Sequence, residues 1–270
     1  HLSKEFDTMQ DQYEVLYRYF GHTAFRSGQA ELIDAQLAGR DVFGIMPTGG
    51  GKSLCYQIPA LMLEGITLVV SPLISLMKDQ VTALKNMGVS AAYVNRSLSA
   101  EQIRLVLRNI QQKKYKIIYI APERLLTESF LAAISNLKIA MVAVDEAHCI
   151  SQWGQDFRPS YLRIADFLKL LKVRPVVSAF TATATQEVRD DVERILGLQN
   201  PLRIITGYDR PNLRFAVVQP KSKPLALLDF IEARPGKCGI VYCSTRKEVE
   251  KVCQMLQNKG ISATRYHAGL

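Results

Sequence analysis

Met46–Leu61 reads MPTGGGKSLCYQIPAL, three glycines running straight into Lys-Ser and then into an apolar helical pattern. DVFGIM (41–46) ahead of it reads as a short buried strand, and KSLCYQIPALMLEG (52–65) behind it as a helix closed by Gly65. Strand, glycine loop and helix in that order form the context of a phosphate cradle. Backbone N–H groups converge on anionic oxygens only where no Cβ intrudes, and the helix N-terminus adds partial positive charge. Thr48, Gly49, Gly50 and Gly51 would line the cradle, Lys52 would reach the β- and γ-phosphates, and Ser53 would hold Mg²⁺. Met46 stands where the pattern G-x-x-x-x-G-K-[ST] has its first glycine, so a plain glycine-rich turn with a surface lysine stays open at this point.

Outward from the loop, β-rich runs alternate with helical patterns: ITLVVS with PLISLMKDQVTALKNMG, SAAYVN with SAEQIRLVLRNIQQKK, KIIYIA with TESFLAAISNL, then IAMVAVD, VVSAFTAT with TQEVRDDVERILG, and LRIIT. This alternation predicts an α/β fold with a parallel sheet flanked by helices. Ser99 with Gln102, and Thr183 with Gln186, have capping-box spacing, and Gly88 and Gly197 stand at helix ends. A seam follows Thr206, giving a first domain over 1–206 and a second over 207–270 that reads as helix, strand (CGIVYCS), helix and strand (ISATRYH). At 64 residues the second is shorter than an ordinary domain of about 100–150, and it is expected to be the truncated start of one.

The 270 residues carry a net charge of +9, of which +6 falls from Gly207 onward, favouring an anionic partner such as nucleic acid. Five cysteines without a Cys-x-x-Cys pair argue against a disulfide framework or a zinc site and are expected in the core. No apolar run approaches 18 residues and HLSKEFDTMQ has no signal core, so no membrane association is expected.

IAMVAVDEAHCI sets Asp145 and Glu146 at the end of an apolar strand, at the carboxyl edge where open parallel sheets bind ligands. Asp145 there suits Mg²⁺, and Glu146 suits orienting and deprotonating the water that attacks a γ-phosphate.

FRSGQ, MPTGGGKS, DEAHCISQWGQDFRPSY and AFTATAT together resemble the RecQ family of superfamily 2 DNA helicases, from about Phe20 to Leu270. The resemblance implies a RecA-like domain followed by the beginning of a second one, and an ATP-driven motor moving 3′ to 5′ along single-stranded or partially duplex DNA. It makes Met46 the family's usual residue and adds His148 to Lys52, Asp145 and Glu146 as a catalytic candidate. Gln29 would read the adenine edge, Arg26 would support the nucleotide, and His22 stands where an aromatic would stack on the base. Trp153, Phe157 and Arg158 resemble an aromatic-rich DNA-sensing loop, and Thr181 and Thr183 a link between the ATP and DNA sites. Ser71, Lys78, Arg124, Ser244 and Thr245 match strand-tracking positions. The implied location is cytoplasmic beside a bacterial nucleoid, or nuclear in a eukaryote. The family's arginine finger would lie beyond Leu270, so slow turnover is expected of this chain. A DEAH-type RNA helicase core and a binding module without turnover remain as alternatives.

Overall fold

Seven strands form one sheet in the order β3-β4-β2-β5-β6-β1-β7, every pairing parallel, in this computed structural model, which describes residues 11–207 and 212–270. The strands are β1 (Val42–Ile45), β2 (Ile66–Val70), β3 (Ala91–Val94), β4 (Ile117–Ile120), β5 (Ile139–Val144), β6 (Val176–Thr181) and β7 (Leu202–Ile205). Alternation along each strand sends Leu68, Val70, Ile118, Ile120, Val142 and Val144 into one core, while Val69, Ile117, Tyr119, Met141 and Ala143 enter the other. Both faces are therefore covered, which is why these strands read as continuous apolar runs.

The first core is closed by α5 (Ala100–Gln111), α6 (Glu128–Ile134), α7 (Leu162–Leu170) and α8 (Gln186–Leu196). The second is closed by α2 (Gln29–Leu37), α3 (Lys52–Met62) and α4 (Ile74–Asn86), and α1 (Gln12–Phe20) packs outside α2 and α3 through Val15 and Leu16. Pro59 inside α3 has no N–H to offer the Cys55 carbonyl. The fully buried Gln36 supplies the missing donor at 2.8 Å, while its own oxygen accepts from Ser178 Oγ at 2.7 Å. One side chain thus joins α2, α3 and β6.

Several expectations need correction. α3 ends at Met62, with Leu63 extended, three residues short of Gly65. The cap of α8 is Thr185, whose hydroxyl accepts from Val188 N, instead of Thr183. α7 has no counterpart in the sequence reading. Cys55, Cys149 and Cys253 are buried, but Cys238 is exposed and Cys243 half-buried. The capping box of Ser99 and Gln102 forms as its spacing predicts.

The chain divides into two compact units, 1–209 and 210–270. Residues 208–211, just beyond the seam at 207, lie outside the described residues, as does the HLSKEFDTMQ segment. Among its described residues the second unit holds α9 (Lys223–Glu232) and α10 (Arg246–Asn258) and no strand. CGIVYCS and ISATRYH are therefore not strands here, because a strand exists through its ladder and neither segment has a ladder partner. Ile240 and Tyr242 stay 81% and 91% exposed, so their apolar pattern is unspent. No helix among the described residues is long and apolar enough to cross a membrane.

Candidate functional site at the carboxyl edge of the sheet

β1, β6 and β5 end side by side, with Met46 N donating to Thr181 O at 3.0 Å and Asp145 N to the end of β2, at Val70 O, at 2.9 Å. The glycine loop, the hydroxyl strand and the carboxylates therefore share one sheet edge. Gly51 caps α3 at φ 82°, and Gly49 also takes a left-handed turn at φ 80°. A Cβ on Gly51 would lie 2.3 Å from Gln29 Nε2, so a side chain there would displace the Gln29 amide as well as strain the left-handed backbone. Lys52 Nζ folds back onto Met46 O at 3.1 Å across the loop mouth.

Gln29 is buried, with its amide N donating to Gly51 O at 3.1 Å and Gly50 O at 3.3 Å and its oxygen accepting from Arg26 N at 2.8 Å. The Arg26 guanidinium donates to Gly49 O. Both residues are thus engaged as braces of the phosphate loop, where the resemblance implied contacts with the nucleotide. His22 is exposed just beyond the left-handed Gly21 that ends α1, and Thr48 is exposed on the loop.

Asp145 is 6% exposed, and its carboxyl is pushed up to about 6 by burial and then by the neighbouring Glu146, against the pull of the Glu146 N–H and the Lys52 ammonium. Tyr161, fully buried, donates from Oη to the Asp145 carbonyl at 2.9 Å and fixes the chain where β5 turns. Glu146 follows at φ 48°, ψ 47°. His148 Nδ1 lies 2.8 Å from Thr181 Oγ1 and 3.3 Å from Glu146 Oε2. Because the Thr181 hydroxyl donates to Thr183 O at 3.1 Å, its oxygen accepts from His148, which places the imidazole proton on Nδ1. Glu146, His148, Thr181 and Thr183 form one line.

That line ends at a pocket of about 300 Å³ walled by His148, Trp153, Gly154, Thr183, Thr185 and Val188. Trp153 is 76% exposed and half-buried Phe157 follows it. Arg158 is held by Asp156 at 2.7 Å and reaches Pro72 O at 3.2 Å, so its guanidinium ties the loop to the turn after β2. Ser71 is buried at that turn, Lys78 is exposed on α4, and Arg124 is half-buried in the 3₁₀ turn Pro122–Arg124. In the second unit, Thr245 caps α10 by accepting from Glu248 N, and Ser244 Oγ donates to Glu248 Oε2 at 2.9 Å. Sequence reasoning missed Tyr161 and the bracing use of Gln29, since neither contact has a local pattern.

The DEAD/DEAH box helicase family profile matches residues 26–191, a span that holds the glycine loop, the carboxylates and the hydroxyl strand. The chain belongs to that family. This DEAD/DEAH box helicase chain is 48% identical over 267 residues to the ATP-dependent DNA helicase RecQ of Pasteurella multocida, covering 98% of this chain and 42% of that protein. It is 47% identical over 257 residues to the RecQ of Bacillus subtilis, covering 95% and 44%. The chain thus spans less than half the length of these curated relatives. Among solved structures, Mycobacterium smegmatis helicase Lhr bound to ssDNA and AMP-PNP superposes with a TM-score of 0.68 at 19% identity, covering 96% of this chain and 37% of that one. The helicase MrfA superposes with a TM-score of 0.69 at 18% identity, covering 95% and 42%, so both support the fold.

Proposed function

We propose that the chain is the motor core of a RecQ-type ATP-dependent DNA helicase, coupling ATP hydrolysis to 3′-to-5′ movement on single-stranded DNA and to unwinding of partial duplexes in repair and recombination. The observation that carries this reading is the line from Glu146 through His148 and Thr181 to Thr183, which joins a carboxylate beside the phosphate loop to a pocket walled by Trp153. Identity of 40% or more to RecQ and Q1 helicases over most of this chain supports it.

Gly49, Gly50, Gly51 and Lys52 would hold the phosphates, and Glu146 would orient the attacking water and take its proton. Once nucleotide enters, the Gln29 amide reads the adenine edge only by releasing the Gly50 and Gly51 carbonyls, while Arg26 and His22 support the base side. The oxygen donors of Ser53 and Asp145 fit Mg²⁺ and would hold it, and the cation would supply positive charge against the phosphates. Burial disfavours the Asp145 carboxylate, and a cation bound beside it would favour the charged form.

Trp153 and Phe157 would stack on bases, and Ser71, Lys78 and Arg124, with Ser244 and Thr245 from a second RecA-like region over 207–270, would contact phosphates without reading sequence. Residues 1–206 would be the ATP-binding domain, and the protein would work in the cytoplasm at the nucleoid, or in a nucleus. Titration of a labelled single-stranded oligodeoxynucleotide and its matched RNA, with an ATP analogue present, tests the substrate class. Tighter binding of DNA is expected; equal or tighter binding of RNA would sink the DNA assignment, because a DNA-specific site must respond to the 2′-OH.

A further inference from the structure

Ser151 is fully buried immediately after the 3₁₀ turn Ala147–Ile150, at the base of the Trp153 loop. Its hydroxyl donates to Asp191 Oδ2 at 2.7 Å and accepts from the backbone N–H of Trp153 at 3.2 Å. A hydroxyl has one proton to place, and the carboxylate decides where it goes. With the proton drawn to Asp191, a lone pair faces Trp153 N and fixes the backbone of the residue that carries the exposed aromatic ring. Gly154 completes the turn: a Cβ there would lie 2.5 Å from His148 O. Trp153 itself stays 76% exposed, so the loop combines a tied base with a free aromatic tip.

Asp191 stands on α8, the helix that follows Thr181 and Thr183 and begins at the Thr185 cap. Its other oxygen pairs with Arg194, and the Ser151 hydroxyl and then Arg194 hold its carboxyl below the ordinary range. Among the described residues its side-chain partners are Ser151 and Arg194. We propose that Asp191 is a positioning residue that sets the Trp153 loop in the pose that receives single-stranded nucleic acid, acting through Ser151 and tying the loop to the helix after the hydroxyl strand. The proposal rests on the reading of Trp153 as a base-stacking contact.

Trp153 is the only tryptophan in the 270 residues, so its fluorescence, excited beyond the tyrosine band, reports this loop. The test compares steady-state anisotropy of Trp153 in the free chain, and quenching on titration with oligothymidylate, in wild type, Asp191→Ala, Asp191→Asn and Ser151→Ala. Asp191→Ala should lower Trp153 anisotropy without DNA and weaken oligothymidylate binding about ten-fold, within the worth of one stacked base. Asp191→Asn keeps an acceptor of the same shape and should stay within about two-fold of wild type, because a neutral amide oxygen still accepts from Ser151. Ser151→Ala, a one-oxygen change that tolerates folding, should reproduce the Asp191→Ala result, and the double variant should lose no more than either single one. Wild-type anisotropy and affinity in both Asp191→Ala and Ser151→Ala would overturn the proposal. A wild-type chain whose Trp153 ignores oligothymidylate would instead count against the DNA reading, while the DNA-free anisotropy would still decide whether Asp191 sets the loop.

Discussion

Gly51 concentrates the demands of the nucleotide site on one residue. It takes φ 82°, turns the loop into α3, and leaves room for the Gln29 amide where a Cβ would sit 2.3 Å away. Gly51→Ala therefore meets both backbone strain of about 1–3 kcal/mol and a collision with a buried side chain. Isothermal titration with an ATP analogue should show at least a ten-fold loss of affinity, and unchanged affinity would contradict the cradle. The neighbouring carboxylates also divide their roles by position: Asp145 is buried, whereas Glu146 keeps a partly open side chain in contact with His148. Sequence spacing located these residues because both motifs are contiguous and close a strand. It could not foresee Gln29 folded onto the loop, since an amide serves a base edge and a backbone carbonyl equally well.

Strand and helix boundaries in the first unit were legible wherever apolar period and caps agreed, as in β2, β4, β5 and α5. The ties between elements were not. Gln36 reaches Ser178 across 142 positions, and Tyr161 reaches Asp145 across 16, distances over which no periodic pattern operates. The Gln36 contact carries its own stability prediction. Gln36→Met leaves the Cys55 carbonyl and the Ser178 hydroxyl buried without partners, at about 1–3 kcal/mol for each lost partner. Urea unfolding should show a loss of about 2 kcal/mol or more, with part of it recovered in Gln36→Met/Ser178→Ala; a Gln36→Met variant as stable as wild type would remove the proposed role of Gln36 in repairing the Pro59 gap.

The two units differ in how far their apolar patterns are used. The 1–209 unit buries both faces of its sheet, whereas the other leaves Phe215, Val217, Ile240 and Tyr242 more than 80% exposed. Strand-like sequence was over-read there because alternation specifies a surface that wants covering, and pairing needs a partner that local sequence does not supply. Amide hydrogen exchange should accordingly be fast over Ile240–Cys243 and slow through β2 and β5; slow exchange over Ile240–Cys243 would mean a ladder exists. For the proposed motor, the most direct measurement is steady-state ATP hydrolysis by this chain with and without single-stranded DNA, alongside Lys52→Ala and Glu146→Gln. Stimulation by DNA that disappears in both variants, with ATP binding lost in Lys52→Ala and kept in Glu146→Gln, is the predicted result. Hydrolysis that ignores DNA, or that survives Glu146→Gln, would contradict a DNA-driven site built on Glu146.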